Sequence, residues 1–407
     1  TFFDANGDGA PDLYVVTGGS EFSDMAPALE DHLYLNDGHG GFRKAADALP
    51  PLLNSGSHVV AADFDGDGAL DLFVGGRVVP GRYGLDPASV LLKNDGKGHF
   101  TDVTESAAPG LSRIGMVTDA LWRDTDGDGR PDLVLVGEWM PITIFQNIGN
   151  GHLRKTTIGG LEKSNGWWNR IVAGDFNGDG KIDFVVGNLG LNSRFQASAT
   201  EPVSMYVKDF AHTGFVQQIV TYYHNGVNYP LALRDDLIRS LPYLKGRYLN
   251  YKDYAKQTVA DVLPAADMND AVEKKAYTFA TALVRNNGNG SFTLEPLPLE
   301  AQISPEYGIL ASDVDGDGKT DLLLAGNFAG FKPDIGTMTA GYGVLLRGDA
   351  KGRFVAVPAQ ESGFVVPGQA RDIKRIRTAK GDLYVVARNN DSAMIFRSTR
   401  AGGGAVR

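Results

Sequence analysis

A nine-residue acidic motif recurs five times in this chain and constrains its fold more than any other feature. It reads Asp4-Ala-Asn6-Gly-Asp8-Gly-Ala10-Pro-Asp12, then Asp63-Phe-Asp65-Gly-Asp67-Gly-Ala69-Leu-Asp71. Further copies are Asp124-Thr-Asp126-Gly-Asp128-Gly-Arg130-Pro-Asp132, Asp175-Phe-Asn177-Gly-Asp179-Gly-Lys181-Ile-Asp183 and Asp313-Val-Asp315-Gly-Asp317-Gly-Lys319-Thr-Asp321. Oxygen ligands at positions 1, 3 and 5 converge in a tight loop. Position 7 offers a backbone carbonyl, so its side chain is free to vary. Glycine at position 6 permits the sharp turn, and Asp at position 9 closes the shell. All-oxygen ligation of this kind is hard-cation chemistry and points to Ca²⁺ before Mg²⁺, in about five structural sites. An EF-hand is excluded, because position 12 is Val15, Val74, Leu135, Val186 or Leu324 and never the bidentate Glu.

Each loop runs into a short apolar segment that ends at glycine, such as Leu133-Val-Leu-Val-Gly137 or Leu322-Leu-Leu-Ala-Gly326. These read as buried strands. A hairpin signature follows each time, as in Asn36-Asp-Gly-His-Gly, Asn94-Asp-Gly-Lys-Gly, Asn147-Ile-Gly-Asn-Gly and Asn286-Asn-Gly-Asn-Gly, turn chemistry that needs positive φ. Four antiparallel strands every ~40–60 residues make a propeller blade. Position-9 anchors at 12, 71, 132, 183, 217, 321 and 382 count seven blades, and the short step from 183 to 217 keeps six open. Residues 1–400 are therefore expected to form a single all-β propeller domain. The long step from 217 to 321 must hold an insertion. Leucines at 233, 237, 241 and 244 give it a helical period, so 231–280 is expected to be a small helical insertion within one blade. Residues 401–407 read as a disordered tail. The chain opens at Thr1 inside a repeat, which predicts a longer parent with upstream segments.

Composition closes off other classes. Hydrophobic residues are 43% and charged residues 22% of 407, so the chain is globular. Glycine, at 52, supplies the turns. With no cysteine there are no disulfides, thiolate metal sites or cysteine nucleophiles. A net charge of −10 disfavours nucleic acid as a partner, and no apolar run is long enough to span a membrane as a helix. Eighteen of the 49 acidic side chains lie in the five loops, and five Ca²⁺ would cancel the −10.

The Asp-rich loops followed by hydrophobic-Gly strands resemble FG-GAP/VCBS repeats, the calcium-bearing blades of integrin α-subunit propellers. Gly75–Arg82, Gly137–Pro141, Gly166–Asn169, Gly187–Arg194 and Tyr251–Ala255 further resemble secreted bacterial VCBS-repeat proteins related to cartilage acidic protein, which often carry an ASPIC/UnbV module elsewhere. The resemblance implies calcium loops of integrin-α type and an extracytoplasmic protein (secreted, periplasmic or on the bacterial cell surface) that binds or adheres to an extracellular protein or glycan. It implies no established reaction.

Topology directs the search for a binding site to the end of the ring opposite the metal loops. Arg77, Glu138, Trp139, Trp168, Asn169, Arg170, Asn188, Tyr307, Asn327, Arg388 and Asn389 are expected to rim the channel mouth there. The plainer alternative is a hydrated channel satisfied by internal ion pairs. Catalytic signatures are absent: there is no Gly-x-Ser-x-Gly elbow, HExxH helix or phosphate loop. The leading expectation is a non-enzymatic, calcium-stabilised binding or adhesion module. The rivals are a carbohydrate-active enzyme such as a polysaccharide lyase, built on His58, Arg170 and Arg77, and a purely structural part of a larger surface protein.

Overall fold

The structure, a computed structural model, describes every residue except 264, 333–334, 400–404 and 407. It holds seven antiparallel sheets. The first is β1 (Phe2–Phe3), β2 (Asp12–Val15), β3 (His32–Asn36) and β4 (Phe42–Lys44). The second is β5 (Ser55–Ala62), β6 (Asp71–Val78), β7 (Val90–Asn94) and β8 (Phe100–Asp102). The third joins β9 (Met116–Arg123), β10 (Asp132–Met140), β11 (Thr143–Asn147) and β12 (Leu153–Thr156), with β13 (Gly166–Trp167) added beside the end of β10. The chain then forms β14 (Arg170–Gly174) and β15 (Asp183–Gly187), the first half of the fourth sheet.

At this point the chain leaves the fourth sheet and builds another. β16 (Val203–Lys208), β17 (Gln217–His224), β18 (Val227–Pro230) and β19 (Val272–Ala276) pair among themselves in the order β18-β17-β16-β19. Only afterwards do β20 (Ala282–Asn286) and β21 (Phe292–Pro296) complete the fourth sheet, with Phe184 facing Val284 in register. The sixth sheet is β22 (Glu306–Ser312), β23 (Asp321–Gly326), β24 (Val344–Gly348) and β25 (Phe354–Val357). The seventh is β26 (Ala370–Thr378), β27 (Gly381–Arg388), β28 (Met394–Thr399) and β29 (Ala405–Val406). The expected tail thus lies largely outside the described residues, and Ala405–Val406 is a strand.

Each of the seven expected anchors falls on its own sheet, but the fifth sheet is nested inside the fourth rather than following it. Side-chain and backbone stitches show the succession. The hairpin Asn of one sheet donates its Nδ2 to the second residue of the preceding acidic loop: Asn94 to Ala5 O (2.9 Å), Asn147 to Phe64 O (2.7 Å) and Asn286 to Thr125 O (3.1 Å). The sixth sheet makes the equivalent contact directly to the fourth, Gly352 N to Phe176 O at 2.9 Å, and Ser398 Oγ of the seventh reaches Val314 O (2.9 Å). Strands β5, β9, β14, β22 and β26 pack side by side in that order, and the nested sheet has no member among them.

The excursion also differs from the helical insertion expected over 231–280. Helices and helical turns occupy parts of Arg234–Met268, while Val272–Ala276 is a strand. Three of the four expected leucines keep the period: Leu237, Leu241 and Leu244 are buried and pack on Ile219 of the nested sheet and on Phe210 just beyond β16, whereas Leu233 is exposed. Asn250 and Thr258 each form a complete capping box, with Asp253 and Asp261 three residues on. The core between successive sheets is built from the apolar runs after each loop. Leu133, Val134, Leu135 and Val136 are all fully buried, alternating between two hydrophobic clusters on opposite faces of one strand.

Candidate functional site

The five acidic loops share one hydrogen-bond scaffold. The first carboxylate accepts the N–H groups of positions 4 and 6, as Asp124 does from Gly127 (2.7 Å) and Gly129 (2.8 Å). Both of those glycines sit at φ +84°, the left-handed region that the motif requires. The ninth-position Asp is buried in every copy, and its two oxygens accept backbone N–H groups from two elements. Asp12 takes Ala5 N and Asn36 N, both at 2.8 Å, and Asp183 takes Phe176 N (3.3 Å) and Asn286 N (2.7 Å). It therefore ties the loop to the neighbouring hairpin. Burial, opposed by these bonds and aided by repulsion from Asp65 and Asp67, pushes Asp71 up to about 7.

Three loops gather three carboxylates within 4.8 Å of one another: Asp63, Asp65 and Asp71; Asp124, Asp126 and Asp132; Asp313, Asp315 and Asp321. This all-oxygen donor set fits a hard divalent cation. The expectation of about five sites is corrected to three acidic clusters, because Asn6 and Asn177 replace the third-position carboxylate in the other two loops. Basic side chains also enter. Lys93 contacts Asp65 and Asp67, Arg347 Nε lies 2.9 Å from Asp315, and Lys181 and Lys319 reach the fifth-position Asp at 2.9 and 2.8 Å.

At the opposite ends of the strands lies a cavity of about 620 Å³. Its aromatic walls are Tyr83, Trp139, Trp167, Tyr307, Phe328 and Phe331, and Met205, Gln218 and Val220 of the nested sheet close one side. Arg77, Glu138, Asn169, Ser57 and Thr118 supply polar groups. Two of these and two of the aromatic residues form one hydrogen-bonded chain: Trp139 Nε1 donates to Tyr83 Oη (2.9 Å), Tyr83 Oη to Glu138 Oε2 (2.6 Å), and Arg77 Nη2 to Glu138 Oε1 (2.7 Å). Burial first, then the Glu138 charge, pushes the Tyr83 hydroxyl well above its usual range and Tyr307 up to about 12. Burial opposes the charge on Arg77, yet Glu138, Tyr83 and Tyr307 together outweigh it and hold the guanidinium high. Trp139 takes φ +62°, an uncommon conformation for a bulky residue, where the register with β13 slips.

Of the expected mouth residues, Arg77, Glu138, Trp139, Asn169 and Tyr307 converge on this cavity. The others do not. Trp168 is fully buried, with Nε1 donating to Ser164 O (2.9 Å), and Trp167 takes the cavity position instead. Asn188 is sealed in the interior, its Oδ1 accepting from Trp167 N and Leu189 N. Asn327, at φ +83°, is buried and stitches Gly341 to Gly368. Arg388 bonds Ser392 O, Pro367 O and Asp391, and neither it nor Asn389 lines the cavity. Arg170 is consumed by the centre of the molecule: it meets Asp372 (2.7 Å), Asp119 (3.7 Å) and Tyr307 O (3.0 Å), while His58 Nε2 lies 3.0 Å from Asp119. The internal ion pairs of the plainer alternative are therefore present beneath the cavity. Burial leads the fall in the His58 pKa. Sequence reasoning missed Tyr83, Met205, Gln218, Val220 and Phe331, which come from connections and from the nested sheet.

An FG-GAP-like repeat model matches residues 4–74 and 124–186. No curated protein sequence matches the chain. Among solved structures it is similar to a lectin of Agrocybe aegerita that recognises non-reducing terminal N-acetylglucosamine (13% identity, 100% of this chain and 78% of that one, TM-score 0.47). It is also similar to the exotype rhamnogalacturonan lyase YesX (13% identity, 93% of this chain and 64% of that one, TM-score 0.35). A third likeness is to BBS1N in complex with ARL6DN (11% identity, 99% of this chain and 98% of that one, TM-score 0.34). Among the described residues no helix is long and apolar enough to cross a membrane.

Proposed function

We propose that this chain is a non-enzymatic binding module that works outside the cytoplasm and takes a glycan in the cavity between its main body and the nested sheet. The observation that carries the reading is the lining of that cavity. Six aromatic rings surround a half-buried Arg77–Glu138 pair and the amide of Asn169, which has no side-chain hydrogen bond among the described residues. Sugar rings present apolar faces that stack on aromatics and hydroxyls that need directed donors and acceptors, and this lining offers both. A concavity of this size suits a sugar ring better than a flat protein surface.

The architecture behind this is a β-propeller of six blades, with the nested sheet standing outside the ring as a cover for the cavity. The stitch from the sixth sheet to the fourth supports six blades rather than seven. Calcium occupies the three acidic clusters and pins the far ends of the strands. A calcium-stabilised scaffold of this kind suits a role outside the cytoplasm, where calcium is plentiful. The lyase alternative is not favoured: His58 and Arg170 share Asp119, whereas Arg77 is held by Glu138, so the three do not gather around one reacting carbon.

A glycan array probed in calcium tests the reading. Wild type should bind a defined set of sugars. Asn169→Ala and Phe331→Ala should each weaken that binding about tenfold or more, the cost of a lost hydrogen bond or stacking face, with unchanged melting. A wild-type protein that binds nothing across the array refutes it.

A further inference from the structure

The nested sheet carries a second concavity, of about 270 Å³, lined by Arg194, Tyr222, Tyr229, Arg234, Tyr251 and Tyr254 among others. The two concavities lie on one face of one strand. Gln218, Val220 and Tyr222 alternate along β17 and so point the same way. The first two line the large cavity and the third lines the small one. Tyr222 faces Tyr229 across the β17–β18 pair, which extends the aromatic surface. A single hydrophobic cluster joins the two ends, since Tyr222 and Leu231 pack with Trp139, Trp167, Val220 and Phe331. From Gln218 to Tyr222 the strand advances about 13 Å, the reach of a short oligosaccharide rather than of one sugar ring.

The outer end carries a charge without a carboxylate partner among the described residues. The Arg194 guanidinium lies over the Tyr222 ring at 5.9 Å and has no carboxylate partner among the described residues. Its neighbour Arg234 also lies over a tyrosine, Tyr251 at 5.6 Å, but is neutralised by Asp235 and bonds Tyr248 O and Leu249 O. Arg371 lies behind the cavity-lining Tyr307, 4.7 Å from its ring, and bonds the oxygens of Asn327, Ala370 and Gln369 without itself lining the cavity. The outer concavity thus presents an arginine stacked on a tyrosine with its charge uncompensated, whereas the arginine lining the large cavity, Arg77, is paired with Glu138. Uncompensated guanidinium favours carboxylate, and the aromatic faces between favour sugar rings.

We propose that the two concavities are subsites of one groove for an acidic oligosaccharide, with Arg194 reading a carboxylate at its outer end. This rests on the glycan reading of the cavity and extends it to length and charge. The test uses the full chain in calcium, with β-1,4-linked glucuronic-acid oligomers of two and six units and the uncharged cellobiose and cellohexaose, by isothermal titration calorimetry. Wild type should bind the acidic hexamer about tenfold tighter than the acidic dimer, as one added charge-assisted hydrogen bond predicts. Arg194→Gln should cut that gain to the smaller one that cellohexaose shows over cellobiose, and leave dimer affinity and cellohexaose binding unchanged. Tyr222→Ala should weaken both hexamers and spare both dimers. Equal wild-type affinity for dimer and hexamer overturns the extended groove, as does an Arg194→Gln change that weakens the dimer equally or alters nothing. If neither acidic nor neutral oligomers bind wild type, the glycan reading of the cavity falls as well.

Discussion

Replacing Asp183 by alanine should destabilise the protein whether or not calcium is present. Asp183 is fully buried and closes the acidic loop whose third position is Asn177, outside the three acidic clusters. Its carboxylate accepts Asn286 N at 2.7 Å and Phe176 N at 3.3 Å, which joins β15 to the hairpin completing its sheet. Alanine leaves two buried N–H groups without acceptors, at ~1–3 kcal/mol each. The longer bond belongs near the lower end of that range. Burial also raises the Asp183 pKa, against the pull of these hydrogen bonds, so removing the carboxylate recovers part of the loss. The expected net cost is about 2–4 kcal/mol. Urea unfolding followed by tryptophan fluorescence reads it as a lower midpoint at constant slope. Asp179→Ala is the control: that side chain bonds the Lys181 backbone and ammonium at the exposed edge of the loop. It should cost less than ~1 kcal/mol in chelator. Asp183→Asn should fall between the two, because its remaining oxygen still accepts one N–H. A destabilisation of Asp183→Ala that vanishes in excess chelator would show that the residue acts through metal, and the hydrogen-bond argument would be wrong.

Two further outcomes follow from the same geometry. Chelation should lower the melting temperature, and Ca²⁺ should restore it better than Mg²⁺, which demands stricter octahedral geometry; an unchanged melting curve in chelator would remove metal from the three acidic clusters. Glu306 is buried, one of its carboxylate oxygens has no partner among the described residues, and burial raises its pKa well above the usual range. A carboxyl group raised in the folded state contributes stability that is full below its unfolded value near ~4.3 and is lost as pH rises through the folded value, at up to ~1.4 kcal/mol per pH unit. Glu306→Gln should therefore stabilise the protein at pH 7–8 and change little at pH 4, and parallel wild-type and variant stability curves across that range would contradict it.

The strands after the acidic loops were legible because burial on both faces demands continuous apolar runs, and Leu133–Val136 or Leu322–Leu324 have no other reading. The nesting was not legible. Local pattern places Gln217 at the right spacing for another blade, yet the partner that decides its place is the distant Phe184–Val284 pairing. The site was half legible for a related reason. Arg77 and Glu138 sit at ends of long strands, where alternation fixes the face. Trp168 sits between the two-residue β13 and the start of β14, where no strand sets the alternation, and the face was assigned one residue out. Tyr83 and Phe331 reach the cavity from connections, whose course no period describes.

The nesting has a consequence for how the chain is made. β15 carries Phe184, Val185 and Val186, all fully buried once β20 has docked, but residues 188–281 must be synthesised first. At roughly 5–20 residues per second, a nascent β15 waits on the order of 5–20 s with an apolar edge open to the wrong partner. The excursion shortens that exposure by its own folding. Val203 and Ala276 are paired neighbours in the nested sheet, so once it forms, its two ends already lie side by side. Closing the fourth sheet then means spanning only the short arms at 188–202 and 277–281, and the inserted sheet acts as a splint for the one that it interrupts.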